Sequence, residues 1–460
     1  MNKILTSLFS LSILFLAWQL FAFVADMPYL VPSVPSIFYT LKSLVTTSAF
    51  YHSLFATLIR GICGMLLSLA VAGMASILFS KKEWLYEIFR PFLSIMRSVP
   101  VISFILLALI FLEPESIPIF IAFLTMFPLL TENLTKGIRN QHTELGTMGR
   151  LFRISSLNRF TQIIYPQLKP FLYSGLASAA GFGWRAIIMG EVLAQCQWGI
   201  GGEMKRAQLF IAVPQLIAWT VMAILISFLF DKGIGGISKQ NIPIRFSPAL
   251  SVESENKKEN NNLIIRHLFY SYTPENPIFT NFSYLFETGK IYGISAPSGK
   301  GKTTLLNLIG KTIFPQKGNI DTAMNGGIAF VQQIPALLAQ LSVIENVAFS
   351  LSSLKNRKEA FEEAERLLDE VELTPWANSY PSELSFGQCQ RVALARALVF
   401  PSPLLLMDEP FKGLDEALTK RIIERIRIRQ LMRKQTILFT SHNEAELNLL
   451  SDEILYLNDL

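Results

Sequence analysis

Ala296-Pro297-Ser298-Gly299-Lys300-Gly301-Lys302-Thr303 is a loop built to hold phosphate. Small residues let backbone N–H groups close around phosphate oxygens, Lys302 can reach the β and γ oxygens, and Thr303 can ligate Mg²⁺. The flanks supply the context such a loop needs. Lys290-Ile291-Tyr292-Gly293-Ile294-Ser295 predicts a short buried strand, and Thr304-Leu305-Leu306-Asn307-Leu308-Ile309 predicts the start of a helix. The helix N-terminus adds its dipole and unpaired amides to the same phosphate site. Ala296 stands where the usual pattern has its first glycine.

Further motifs follow in one order. Leu384-Ser385-Phe386-Gly387-Gln388 runs directly into a helix-like stretch from Arg391 to Leu398. Leu404-Leu405-Leu406-Met407-Asp408-Glu409-Pro410 is an apolar strand ending in two carboxylates. One acid can hold Mg²⁺ through its water shell while a second polarises an attacking water. Over about residues 263–460 this set resembles the ABC transporter ATPase family, with Phe386 replacing the first glycine of the LSGGQ signature.

That resemblance implies ATP and Mg²⁺ as cofactors and a role for each matched residue. Ala296 to Thr304 would cradle the phosphates, with Thr303, Asp408 and Gln333 toward the metal. Glu409 would polarise the water, Gln333 would serve as the Q-loop glutamine that touches the membrane part, and His442 would contact the γ-phosphate. Asp415 matches the D-loop, and Tyr272 would stack on adenine, with Tyr270 and Phe269 close enough to compete for that place. In the family the signature acts in trans, so Ser385, Gly387 and Gln388 would close over nucleotide held by a second copy. A homodimer is implied.

The first half has a different composition. Hydrophobic residues make up 51% of the chain and the mean hydropathy is positive, which a soluble protein of this size rarely shows. Six apolar stretches are candidates to span a bilayer: 4–25, 54–79, 99–112, 117–134, 170–193 and 213–230. The first exceeds the roughly 7 to 15 residues of a signal-peptide core and lacks a small-residue cleavage site, so it reads as a retained helix. Basic residues gather after the second stretch (Lys81, Lys82, Arg90, Arg97), after the fourth (Lys136, Arg139, Arg150, Arg153, Arg159, Lys169) and after the sixth (Lys232, Lys239, Arg245). The positive-inside rule makes those loops cytoplasmic, with Lys205 and Arg206 as exceptions on the other side. Six spans return the chain to the side where ATP is.

Arg97-Ser98-Val99-Pro100-Val101, Phe127-Pro128-Leu129-Leu130 and the run Gly183-Trp184-Arg185 to Glu191-Val192 resemble permeases of the nitrate, sulfonate and taurine uptake group. The polar, basic loop 140–169 sits where those importers carry a cytoplasmic coupling segment, ending here in Tyr165-Pro166. Arg185 and Glu191 lie in the outer part of the fifth stretch, where a lipid-exposed charge costs about 3 kcal/mol or more, so each should face a partner or water. They do not share one helical face. Arg60, near the outer end of the second stretch, is expected to snorkel to the interface.

Residues 247–262 are polar and charge-mixed and read as flexible linker. The net charge of +6 is accounted for by the basic loops, so no nucleic-acid partner is inferred. Cys63, Cys196 and Cys389 show neither disulfide nor metal-site spacing. The expectation is a multi-domain chain: an all-α six-helix transmembrane permease domain (1–240), a linker (241–262) and an α/β P-loop ATPase domain (263–460). It would be half of an importer of a small, anionic solute, multi-pass in a cytoplasmic membrane, served by a separate extracytoplasmic substrate-binding protein. An exporter half and a non-hydrolysing ATP-binding subunit are the alternatives.

Overall fold

The computed structural model describes residues 3–28, 30–237, 242–246, 262–273, 276–297, 299–322 and 327–457. The chain divides into two compact units, Met1–Gln141 with Gln167–Gln240, and His142–Pro166 with Asn241–Leu460. Apart from 242–246 and Asn262, the expected linker 241–262 lies outside the described residues.

The first unit is helical. Ser48–Lys81, Ile117–Arg139, Val213–Ile237 and the continuous run Ser156–Ala194, which belongs to this unit from Gln167 onward, are long and apolar enough to cross a membrane. The stretch expected as a third span is instead a bent pair, Glu83–Ser98 and Val101–Phe111, meeting at 95°. Pro100 causes the break: its ring drives the preceding residue out of the helical region, and Val99 has φ −70° and ψ 131°. Counted as one, the pair makes a fifth span, so the described residues give four or five rather than six. The first apolar stretch is the helix Lys3–Ala25, of which only Phe15–Ala25 counts as an apolar helix among the described residues. Two shorter helices, Val34–Val45 and Ile200–Leu209, went unseen in the hydropathy pattern; Lys205 and Arg206 lie on the second.

Packing in this unit is inverted relative to a water-soluble core. Ser48–Lys81 buries Ser53, Thr57, Gly61, Gly64, Ser68 and Ala72 at three- or four-residue spacing and exposes Phe55, Ile59, Leu66, Met74 and Ile77. Small residues let helix backbones approach, while the large apolar ones suit lipid. Gly64 shows how close the approach is, because a Cβ there would lie 2.6 Å from the Cβ of Ala122 on Ile117–Arg139. Farther along, the Ser76 hydroxyl donates to the Thr131 carbonyl at 3.1 Å.

Arg60 does not snorkel. It is 7% exposed, its Nη1 lies 2.6 Å from Glu191 Oε1 and donates to the Trp198 carbonyl at 2.8 Å, and its Nη2 pairs with Glu115. Glu191 is fully buried and also accepts from Thr57 Oγ1 and the Gly201 amide, each at 2.9 Å. A carboxylate so satisfied inside the unit answers the cost of burying a charge. Arg185, on a different face of the same helix, is exposed.

Two sheets build the second unit. β1 (Leu263–Thr273) pairs antiparallel with β2 (Asn276–Phe286) on one side and with β4 (Lys317–Thr322) on the other. The remaining strands are β3 (Ile291–Ser295), β5 (Ile328–Val331), β6 (Leu404–Asp408), β7 (Thr436–Thr440) and β8 (Glu453–Tyr456). They form a parallel sheet in the order β5-β6-β7-β3-β8. β6 and β7 are buried at every position: Leu405, Met407, Ile437 and Phe439 join one apolar cluster with the helices, and Leu404, Leu406 and Leu438 join another that takes in the antiparallel sheet.

His142–Pro166 folds with this unit. Its helix Thr143–Leu151 contributes Leu145 and Met148, and Phe152, Ile154 and Ile163 follow, to one apolar cluster that includes Val343, Phe349 and Phe400. Phe152 meets Phe400 edge-on at 5.1 Å between centroids. The guanidinium of Arg396 lies 5.8 Å over the Phe152 ring, and burial pushes its pKa down to about 10.

Candidate nucleotide site

β3 delivers the chain into the phosphate loop, and the helix Lys302–Ile309 leaves it. Between them Gly299 (φ +82°) and Gly301 (φ +90°) adopt left-handed backbone, which a side chain disfavours. Gly301 is doubly constrained, since a Cβ there would come within 2.4 Å of Ile278. Ser298 lies outside the described residues. Lys302 Nζ donates back to the carbonyls of Ala296 at 2.6 Å and Pro297 at 3.4 Å. Burial lowers its pKa, opposed by the charges of Glu409 and Asp408.

The two carboxylates after β6 are held differently. Asp408 is buried, and its Oδ1 accepts from Thr440 Oγ1 at 2.6 Å. The same hydroxyl accepts from the Glu409 amide at 3.0 Å, tying β6 to β7 at the site. Glu409 turns left-handed at φ +47°, a strained conformation for a residue with a side chain. Its carboxylate takes a hydrogen bond from Gln333 and lies 3.1 Å from His442 Nε2 and 3.2 Å from Lys412 Nζ. Burial pushes its pKa up, but Gln333, Lys412 and His442 outweigh it and hold it below the ordinary glutamate value. Glu409 is therefore ionised at neutral pH.

Oxygen donors converge here. Thr303, Gln333 and Asp408 line one cleft of about 1000 Å³, together with Asn307, Thr147 and Arg150. Among the described residues no group of three or more His, Cys, Asp or Glu side chains could cage a metal alone. Mg²⁺ held with a nucleotide needs only one or two protein oxygens besides phosphates and waters, so these residues fit it.

The remaining candidates occupy helix starts and a strand. Ser385 caps the helix Phe386–Val399: its Oγ accepts from the Gln388 amide at 3.3 Å, and Gln388 Oε1 accepts from the Ser385 amide at 2.8 Å. Gly387 abuts Gly413, where a Cβ on Gly387 would meet the Gly413 carbonyl at 2.5 Å. Phe386 is exposed and Lys300 lies on the outer turn of the loop. Asp415 caps Glu416–Arg433 by accepting from the Leu418 amide at 2.9 Å. Tyr270 belongs to the core, whereas Tyr272 is 63% exposed and stands edge-on to it at 5.1 Å.

Residues 279–412 match the family model described as ABC transporter, and residues 64–233 match that of the binding-protein-dependent transport system inner membrane component. The chain joins an ABC ATPase domain to a permease domain. An ABC ATPase domain binds nucleotide, and a permease domain with several apolar helices makes this a membrane protein.

The ATPase domain is 38% identical over 182 residues to the sulfate/thiosulfate import ATP-binding protein CysA of Synechococcus elongatus, covering 37% of this chain and 53% of that one. A Salmonella paratyphi A relative named for 2-aminoethylphosphonate import, PhnT, is 35% identical over 195 residues, covering 40% and 53%. The chain thus spans about half the length of the curated relatives it matches. A dimeric post-hydrolysis ATP-binding cassette bound to ADP and Pi aligns at 27% identity and TM-score 0.39, covering 42% of this chain and 93% of that one.

Three residues at the site escaped the sequence reading. Thr440 bonds both carboxylate residues of the Asp408-Glu409 pair, Lys412 pairs with Glu409, and Gln390 Nε2 donates to the Glu409 carbonyl at 3.4 Å from inside the signature helix. Lys412 had a visible signal, three residues past Glu409 on a turn; Gln390 and Thr440 had none beyond lying inside motifs.

Proposed function

We propose that this chain is one half of an ATP-driven importer, paired with a second copy in a cytoplasmic membrane and loaded by a separate extracytoplasmic binding protein. The ATPase domain lies on the cytoplasmic side, where basic loops and ATP are found. Ala296 to Thr304 wrap the phosphates and Tyr272 stacks on adenine. Thr303, Asp408 and Gln333 hold Mg²⁺, which when bound neutralises charge on the transferred phosphoryl group. Glu409 orients and polarises water, and His442, fixed by Glu409, donates toward the γ-phosphate. Ser385, Gly387, Gln388 and Asp415 face the nucleotide of the second copy.

The observation that carries this reading is the ionised Glu409 held by Gln333, Lys412 and His442 beside buried Asp408. A non-hydrolysing nucleotide module has no need of that arrangement. The cargo is a small anion: Arg185 is an exposed cation inside an apolar helix, and the relatives above are named for sulfate, thiosulfate and a phosphonate. Glu409→Gln should lower turnover by about a hundred- to ten-thousandfold while nucleotide still binds. Turnover equal to wild type in the purified variant would overturn the catalytic assignment, and ATP-independent uptake in liposomes would overturn the importer.

A further inference from the structure

The described residues 242–246, expected to be linker, are built into the edge of the ATPase unit. Ile244 and Phe246 pack against its apolar cluster, while Pro243 and Arg245 are exposed. The Phe246 ring lies 6.0 Å from Phe361, over which Arg357 sits at 5.4 Å. Two fully buried amides from the 142–166 segment read the backbone of this stretch. Asn158 Nδ2 donates to the Arg245 carbonyl at 2.7 Å while Asn158 Oδ1 accepts from the Arg245 amide at 3.2 Å. Gln162 Nε2 donates to the Ile242 carbonyl at 2.8 Å.

The other side of the same segment is tied to the ATPase domain proper. Asn158 Nδ2 also donates to Ser352 Oγ at 3.3 Å, the Ser155 amide donates to Ser353 Oγ at 3.1 Å, and Gln340 Nε2 donates to the Gln162 carbonyl at 2.6 Å. Residues 155–162 are thus held from two directions. Buried amides satisfied this fully fix one arrangement, since each bond lost leaves an unpaired polar group.

We propose that Ile242 to Phe246 form a strap that locks the coupling segment 142–166 onto the ATPase domain of its own chain, with Asn158 as the positioning residue. In a two-copy assembly the strap decides which ATPase domain each coupling segment follows: the one it is covalently joined to. A free linker would leave that choice open. The motion transmitted rests on the importer reading, whereas the seating in cis does not.

Seating is tested in the full-length chain, with Cys63, Cys196 and Cys389 replaced by serine. Ser155→Cys and Ser353→Cys in one chain, at the pair joined by the 3.1 Å bond above, treated with a short bis-maleimide, should give an intrachain link that keeps both halves joined after proteolysis in 247–262. A link between chains when the two single variants are co-expressed, or no link in the double variant, would overturn the strap.

Coupling is tested with solute moved per ATP in liposomes. Arg245 contributes only its backbone to Asn158, so Arg245→Ala should match wild type. Arg245→Pro removes the amide donor, and it and Asn158→Ala should lower the ratio by about two- to thirtyfold with ATP turnover retained. An unchanged ratio in Asn158→Ala, or Arg245→Ala as damaging as Arg245→Pro, would refute the positioning role. Loss of ATP-driven uptake in wild type would instead strike the importer reading and leave the cross-link result standing.

Discussion

Glu191 and Glu409 both lie against cations, yet their surroundings assign them opposite uses. Glu191 has no solvent exposure, and Arg60, Thr57 and the Gly201 amide satisfy its carboxylate with no side open to a ligand. Glu409 keeps a 15% exposed side chain, sits on strained backbone at φ +47° and belongs to the same strand end as cleft-lining Asp408. A carboxylate closed on every side can hold helices in register. One left partly open beside a cleft can act on what enters it. Charge and burial alone do not separate structure from chemistry; what separates them is whether any lone pair remains for a guest.

The sharpest way to break this comparison is to remove Arg60. Arg60→Ala leaves Glu191 buried and unpaired, and the expected loss is about 3–5 kcal/mol of permease stability, read as a lowered unfolding midpoint in detergent. The paired replacement Arg60→Met with Glu191→Leu removes both charges at similar volume and should recover most of that loss. If the double variant is as unstable as the single one, the pair has a role beyond satisfying its own charges. No similar rescue is expected for Glu409, where a neutral apolar replacement removes the chemistry itself.

The two regions also differ in how far the sequence foretold them. In the ATPase half the carboxylate pair sits at a buried strand end, where local letters suffice to place it: the apolar run Leu404-Leu405-Leu406-Met407 forms β6, and Asp408 and Glu409 lie at its tip. In the permease half, hydropathy located helices but could not see their partners. Arg60 looked like a snorkelling residue because its answering charges, Glu115 and Glu191, lie 55 and 131 positions away. Pro100 was visible as a letter, and the 95° bend it creates between two helices was not. Nor did any local pattern announce Ile244 and Phe246 as packed residues, since five residues beside a charged run carry no period to read.

The smallest expected effect sharpens the comparison most finely. Lys412 is half-exposed and lies 3.2 Å from Glu409, so an isolated pair of this kind contributes about 0–1 kcal/mol to stability and Lys412→Ala should barely move the unfolding midpoint. Its effect should appear in the chemistry. Gln333, Lys412 and His442 together keep the Glu409 pKa below its ordinary value, which preserves the ionised form as pH falls. With Lys412 removed that pKa rises, and the acid limb of the ATPase pH profile should move to higher pH while the plateau near neutrality stays close to wild type. A lowered plateau with an unmoved acid limb would mean that Lys412 touches nucleotide directly. An unmoved profile would leave Gln333 and His442 as the groups that keep Glu409 charged.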